Sequence, residues 1–277
     1  MNLFTPAETT ANYALAGAGK TRMPAGKLLV LGILAGFLIA MGAVAANTAA
    51  HGLKDAGLTK LVSGLLFPFG LVMVILSGAE LFTGNTLISI SVLARQATLK
   101  GMLRNWFYVY LGNGLGAFLA AAGCVFLGQL NCGDGALAAY TIKVAAAKCT
   151  LGWVNAVGLG FFCNVLVTLG VLLSLGARET AGRFLGAYLP VAFFVIAGFE
   201  HSIANLFYVP AGILAAGRPD YAALALSKGV NLPGLTWSSF LFNNLLPVTL
   251  GNLLGGLAVG ALYWYCYGQR ALHRRQD

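Results

Sequence analysis

Two carboxylates and one imidazole, Glu80, Glu200 and His201, stand deep inside long apolar stretches of this chain. Ionisable groups at membrane depth are costly, so they face a protein interior or a water-filled cavity rather than lipid. An imidazole changes charge near neutral pH, so His201 can donate a hydrogen bond, or a proton, to a small anion. The plainer alternative is a neutral ring bonded to backbone. Thr83 carries a hydroxyl that can donate to an oxyanion, or can return a bond to a helix carbonyl. A carboxylate facing an anion's path would repel it. Glu80 and Glu200 are therefore expected to accept bonds from freed backbone N–H groups and from amides such as Asn205. Asn164, Asn205 and Asn252 lie in apolar sequence and need partners wherever they fold. Lys148 precedes an apolar block; it either snorkels to the headgroups or attracts anions toward a pore mouth.

The elements that must hold these residues are unusual. Apolar blocks recur at roughly 28–50, 61–94, 103–130, 150–176, 184–216 and 238–266, which makes six crossings. The second block is interrupted by Gly78-Ala79-Glu80-Leu81-Phe82-Thr83-Gly84-Asn85, and the fifth by Gly198-Phe199-Glu200-His201-Ser202-Ile203-Ala204-Asn205. Unbroken, either block would make a helix roughly 50 Å long against a hydrocarbon core of about 30 Å. Backbone freed at that depth is tolerable only inside protein or along a cavity. Paired interruptions in corresponding halves of a chain point to a substrate site.

The halves also match each other. Gly78, Glu80 and Asn85 are in register with Gly198, Glu200 and Asn205. Leu111-Gly112-Asn113-Gly114-Leu115-Gly116 then corresponds to Leu250-Gly251-Asn252-Leu253-Leu254-Gly255. With three crossings per half, an odd number, the second half must enter the membrane upside down. The expectation is a 3+3 inverted repeat whose breaks meet near the midplane. Gly32 with Gly36, Gly112 with Gly116 and Gly251 with Gly255 are spaced to let helices approach closely.

Composition supports this reading. The 277 residues are 58% hydrophobic and 9% charged, with a mean hydropathy of +0.81, whereas soluble domains are about 25% charged. The net charge of +9 does not call for nucleic acid. Six crossings put Lys20, Arg22, Lys27, Arg95, Lys100, Arg104, Arg178, Arg183, Arg270, Arg274 and Arg275 on one side, and Lys54, Lys60, Lys143, Lys148, Arg218 and Lys228 on the other. The positive-inside bias then makes both termini cytoplasmic, in the plasma (inner) membrane. Residues 1–26 form a cytoplasmic segment, 27–267 the channel domain, and 268–277 a basic tail. Thr5-Pro6-Ala7-Glu8 reads as a capping box opening a short helix along the membrane surface. Five cysteines show no metal spacing, and no metal or other cofactor is expected. Cys132 and Cys149 are near enough in sequence to leave a disulfide open, and Cys163 and Cys266 look like apolar fillers. Zinc-helix, serine-elbow and Walker patterns are absent, so no enzyme or ATP-driven pump is indicated. Paired Asn-Pro-Ala inserts of water and glycerol channels are also missing.

The runs Ala79-Glu80-Leu81-Phe82-Thr83-Gly84, Gly198-Phe199-Glu200-His201-Ser202-Ile203-Ala204-Asn205, Pro247-Val248-Thr249-Leu250-Gly251-Asn252 and Gly160-Phe161-Phe162-Cys163-Asn164 resemble signatures of the formate/nitrite transporter family, and the likeness extends from Lys27 to Tyr267. It implies a homopentamer of aquaporin-like protomers, each with its own pore, around a sealed axis. It implies that Thr83 lies on the break of the second span and that His201 lines a central chamber. By the same resemblance Phe67, Leu71 and Phe194 form apolar constrictions, Lys148 is a vestibule lysine, and Asn164 and Asn252 are amides around the site. Family members carry formate, nitrite, hydrosulfide, lactate and related anions. Formate is the expected cargo, with nitrite or hydrosulfide as the alternative because Gly84-Asn85 departs from the formate-channel pattern. The mechanism implied is an anion stripped of water by apolar rings and held by Thr83 and His201, or protonated by His201 so that a proton crosses with it. The amino-terminal helix is expected to gate with pH. A non-transporting scaffold is the rival class, but it would have no use for polar breaks.

Overall fold

A computed structural model of the chain describes residues 3–268, and most of them are helical. Helix α1 (Pro6–Arg22) opens on the expected capping box: Glu8 N–H donates to Thr5 Oγ1, and Thr5 N–H donates to the Glu8 carboxylate at 2.7 Å. Then follow α2 (Ala25–Ala50), α3 (Ala56–Leu66), α4 (Phe69–Ser77), α5 (Phe82–Asn85), α6 (Ile88–Leu93), α7 (Leu99–Phe126), α8 (Ala136–Cys149), α9 (Trp153–Gly176), α10 (Thr180–Ala197), α11 (Ser202–Ala216), α12 (Pro219–Ser227), α13 (Trp237–Ser239) and α14 (Leu246–Tyr263). Side-chain caps mark the starts that the loops supply. Asp55 accepts from Leu58 N–H, Thr98 from Gly101 N–H, and Glu179 from both Ala181 and Gly182 N–H.

Among the described residues six helical stretches are long and apolar enough to cross a membrane: Ala25–Ala50, Ala56–Ser77, Leu99–Phe126, Trp153–Gly176, Thr180–Ala197 and Trp237–Gly268. The last contains two π turns, Phe240–Leu245 and Trp264–Gly268, which the periodicity did not foretell. The expected basic tail falls almost wholly on residues 269–277, outside the described residues.

Two close pairings organise the bundle, α2 with α7 and α9 with α14. Both depend on glycine. A methyl group at Gly36 or Gly116 would overlap the backbone of the facing helix, at Asn113 and Ile33 respectively. At Gly251 and Gly255 it would overlap Val157 and Phe161. Small faces of this kind let helix backbones touch and replace hydrophobic association, which lipid does not provide.

Helices α4 and α10 stop in the same way. Gly78 (φ 72°) and Gly198 (φ 77°) adopt the left-handed conformation that glycine takes without steric cost. Ala79 N–H then donates to Val74 C=O, and Phe199 N–H to Phe194 C=O, each at 3.0 Å. These wrapped-back bonds satisfy carbonyls that a helix end otherwise leaves orphaned. The chain runs non-helically to Leu81 and His201 before α5 and α11 begin.

Candidate pore site

Much of the polar backbone freed between α4 and α5 is taken up by neighbouring helices. Glu80 N–H donates to Leu31 C=O of α2 at 3.2 Å. Phe82 N–H donates to Asn113 Oδ1 of α7 at 2.9 Å, while the same amide's Nδ2 donates to Gly32 C=O and Glu80 C=O. The gap between α10 and α11 repeats the pattern. Glu200 N–H donates to Leu159 C=O of α9, and Ser202 N–H to Asn252 Oδ1 of α14. Asn252 Nδ2 donates to Gly160 C=O and Glu200 C=O. An asparagine suits this work because it offers an acceptor and two donors on one short, planar group.

The two glutamates were expected to accept from freed N–H groups and from amides. The amides do donate to them, but lysines stand where the freed N–H groups were expected. Glu80 accepts from Lys20 Nζ of α1 at 2.9 Å and from Asn85 Nδ2 at 2.7 Å. Asn85 Nδ2 also donates to Asn105 Oδ1, and Asn105 Nδ2 returns to Lys20 C=O. Glu200 accepts from Lys148 Nζ of α8 with both oxygens at 2.9 Å, and from Asn205 Nδ2 at 2.7 Å. Asn205 Nδ2 continues to Asn244 Oδ1, and Asn244 Nδ2 returns to Lys148 C=O. The freed N–H groups went elsewhere because a buried carboxylate requires a full counter-charge, which a neutral N–H does not supply. Lys148 accordingly neither reaches for headgroups nor stands free at a mouth. It closes an ion pair and also lies 5.4 Å from the Tyr208 ring centroid.

Helix α1 does more than lie on a surface. Thr9, Thr10, Tyr13, Ala14, Gly17 and Ala18 are buried, and Tyr13 OH donates to Gly84 C=O at 3.3 Å. Burial, with the nearby charge of Glu80 added, pushes the Tyr13 phenol well above its usual range. The hydroxyl therefore keeps the proton it donates.

Between the two clusters, Thr83 Oγ1 and His201 Nε2 lie 2.9 Å apart, both side chains buried. His201 also caps α11, with Nδ1 accepting from Ala204 N–H at 3.1 Å. An imidazole nitrogen that accepts carries no proton, so the neutral ring bears its hydrogen on Nε2 and donates it to Thr83. The threonine hydroxyl hydrogen is then left over for a third group. Protonating Nδ1 would set it against the Ala204 N–H.

A cavity opens on each side of this pair. One is lined by Lys60, Lys148, Glu200 and His201, together with Phe67 and Phe194. The other is lined by Tyr13, Lys20, Glu80, Asn85 and Leu71. The three expected constriction residues therefore fall on two sides. Phe67 and Phe194 meet edge to face, with centroids 5.8 Å apart, and Phe194 stacks on the His201 ring at 5.8 Å. Leu71 belongs to the opposite cavity. Asn164 and Asn252 are fully buried and line neither; Asn164 Nδ2 donates to Thr83 C=O, Thr86 Oγ1 and Asn252 C=O.

Sequence reasoning passed over Lys20, Asn105, Asn113 and Asn244. Asn113 already sat in the Leu-Gly-Asn match, and Lys20 precedes Gly32 by the same spacing as Lys148 precedes Gly160. The cysteines are all free: Cys132 is exposed and Cys149 buried, its thiol pushed up to about 11 by burial. Cys163 is a buried filler as expected, but Cys266 is exposed. No cluster of three or more potential metal ligands occurs among the described residues.

Comparison with known proteins gives one consistent picture. The family model described as formate/nitrite transporter matches residues 7–265. The probable formate transporter of Methanothermobacter thermautotrophicus is 37% identical, over 95% of this chain and 97% of that protein. The formate channel FocA of Escherichia coli strain K12 is 35% identical, over 96% and 95% respectively. Among solved structures, a pentameric formate channel with formate bound superposes with a TM-score of 0.78 at 35% identity, covering 88% of this chain and 97% of that one.

Proposed function

This chain belongs to the formate/nitrite transporter family, and on that premise we propose that it is a channel for the small monovalent anion of a weak acid, formate before nitrite or hydrosulfide. Formate leads because it is named in the similar proteins described above. The matched bonding around the two gaps supports an inverted repeat with an aquaporin-like protomer, and the likeness to a pentameric channel supports a homopentamer. The surplus of basic residues on one side supports cytoplasmic termini in a plasma membrane. In that orientation the Lys20 cavity faces the cytoplasm, and α1, tied down by Tyr13 and Lys20, closes over it.

The observation that carries the reading is the Thr83–His201 contact between the two cavities. An anion entering this zone passes Phe67 and Phe194, or Leu71, where apolar walls strip water and make a bare charge costly. With His201 Nε2–H directed at Thr83, the Thr83 hydroxyl is polarised and its own hydrogen points to the passing carboxylate. Hydrogen bonds to charged groups strengthen where water is excluded. The Ala204 cap keeps the ring neutral, which favours passage of a hydrogen-bonded anion over protonation by the imidazole.

The test is flux in proteoliposomes. Thr83→Val and His201→Phe are each expected to slow formate about tenfold or more, the loss of a charge-assisted hydrogen bond of about 1.5–3 kcal/mol at the barrier. Wild-type flux should follow the formate gradient and carry current. Unaltered flux in both variants would remove the pair from the path, and electroneutral uptake driven by a pH gradient would transfer the assignment to proton co-transport.

A further inference from the structure

We propose that Lys60, rather than Lys148, supplies the net positive charge that draws the anion into one vestibule, and that the opposite vestibule lacks any equivalent. This rests on the reading of the chain as an anion channel and adds a residue to it. The cavity holding His201 is lined by two lysines, Lys60 and Lys148, and by one carboxylate, Glu200. Lys148 spends its charge on both oxygens of that carboxylate. Lys60 on α3 is exposed and, among the described residues, forms no ion pair. Its Nζ stands 3.1 Å from where a Cβ on Gly198 would lie, beside the gap that ends at His201. The cavity therefore keeps one uncompensated positive charge close to the bottleneck.

The other cavity is different. Its lining holds one lysine, Lys20, and one carboxylate, Glu80, and these two are paired. The position in α10 that corresponds to Lys60, counting back from Gly198 as Lys60 stands from Gly78, is occupied by Thr180. A cleft with apolar walls focuses the field of an unpaired charge and concentrates counter-ions at its mouth. One vestibule is thus neutral and the other attractive. Lys60 also lies near the carboxyl end of α10, where a cation complements the helix dipole. A purely structural role there predicts altered stability but no change in anion dependence.

The experiment compares wild type, Lys60→Gln, Lys60→Glu and Lys60→Arg in proteoliposomes, with formate flux measured against formate concentration at low and high ionic strength. Lys60→Gln is expected to raise the half-saturating formate concentration about fivefold, with maximal flux unchanged, as the focused field is lost. It should also flatten the salt dependence that screening imposes on wild type. Lys60→Glu should exceed that effect and Lys60→Arg restore wild-type behaviour. Elution as an intact oligomer before reconstitution checks folding. Unchanged half-saturation and salt dependence in Lys60→Gln, while wild type conducts formate, would overturn this inference alone. Absence of wild-type anion flux would overturn the channel reading and this inference with it.

Discussion

The Lys20–Glu80–Asn85–Asn105 cluster and the Lys148–Glu200–Asn205–Asn244 cluster use the same residue types in the same bonding order. What they enclose differs. The residue at the N-cap of the helix after each gap is Leu81 in one half and His201 in the other. The hydroxyl of Thr83 has Ile203 as its counterpart. Scaffold chemistry is thus duplicated, whereas the chemistry proposed for the pore is divided, one polar group from each half meeting at 2.9 Å. A duplicated scaffold needs both copies because each gap strands the same backbone groups. A bottleneck needs only one pair of donors, and two identical residues could not form the directional chain from Ala204 N–H through His201 to Thr83.

The comparison can be broken most severely at the carboxylates. Glu80→Ala and Glu200→Ala each leave a partly buried lysine without its counter-charge, which costs about 3 kcal/mol. Both variants should lose oligomer on heating well before wild type, by comparable amounts. A large loss in one and none in the other would show that the clusters are not equivalent supports.

Lysine replacement should separate the halves. Helix α8 packs along α11 over much of its length, while α1 is tied to the gap beneath it through Tyr13 and Lys20. Lys20→Met is therefore expected to loosen α1 by about 2 kcal/mol, the worth of its charged hydrogen bonds, seen as faster amide exchange at Tyr13 and Ala14. Lys148→Met should leave α8 exchange nearly unchanged. Equal loosening of both helices would refute this distinction.

The smallest effects belong to Gly78→Ala and Gly198→Ala. Both force a Cβ into left-handed backbone at a cost of about 1 kcal/mol. At Gly198 the added methyl also meets Lys60 Nζ, whereas at Gly78 it meets nothing within 4 Å. The Gly198 variant should be the less heat-stable of the two.

Much of this was legible before any coordinates. The Gly-x-Glu-x-x-x-x-Asn match located both gaps, and the Thr5 capping box located the start of α1. Each is a local pattern, decided by residues within a few positions of one another. The lysine partners of Glu80 and Glu200 were not legible, since a charge does not name its counter-charge when the two lie on helices far apart in sequence.

By itself the sequence determined six apolar stretches, two of them punctuated by glycine and carboxylate, because hydropathy and backbone conformational cost are properties of short segments. Only the tertiary structure decided that Lys20 and Lys148 neutralise those carboxylates, that Asn113 and Asn252 take up the stranded N–H and C=O groups, and that His201 points at Thr83 rather than at lipid. Such choices depend on packing helices to within hydrogen-bond distance, where a shift of one ångström makes or loses the bond.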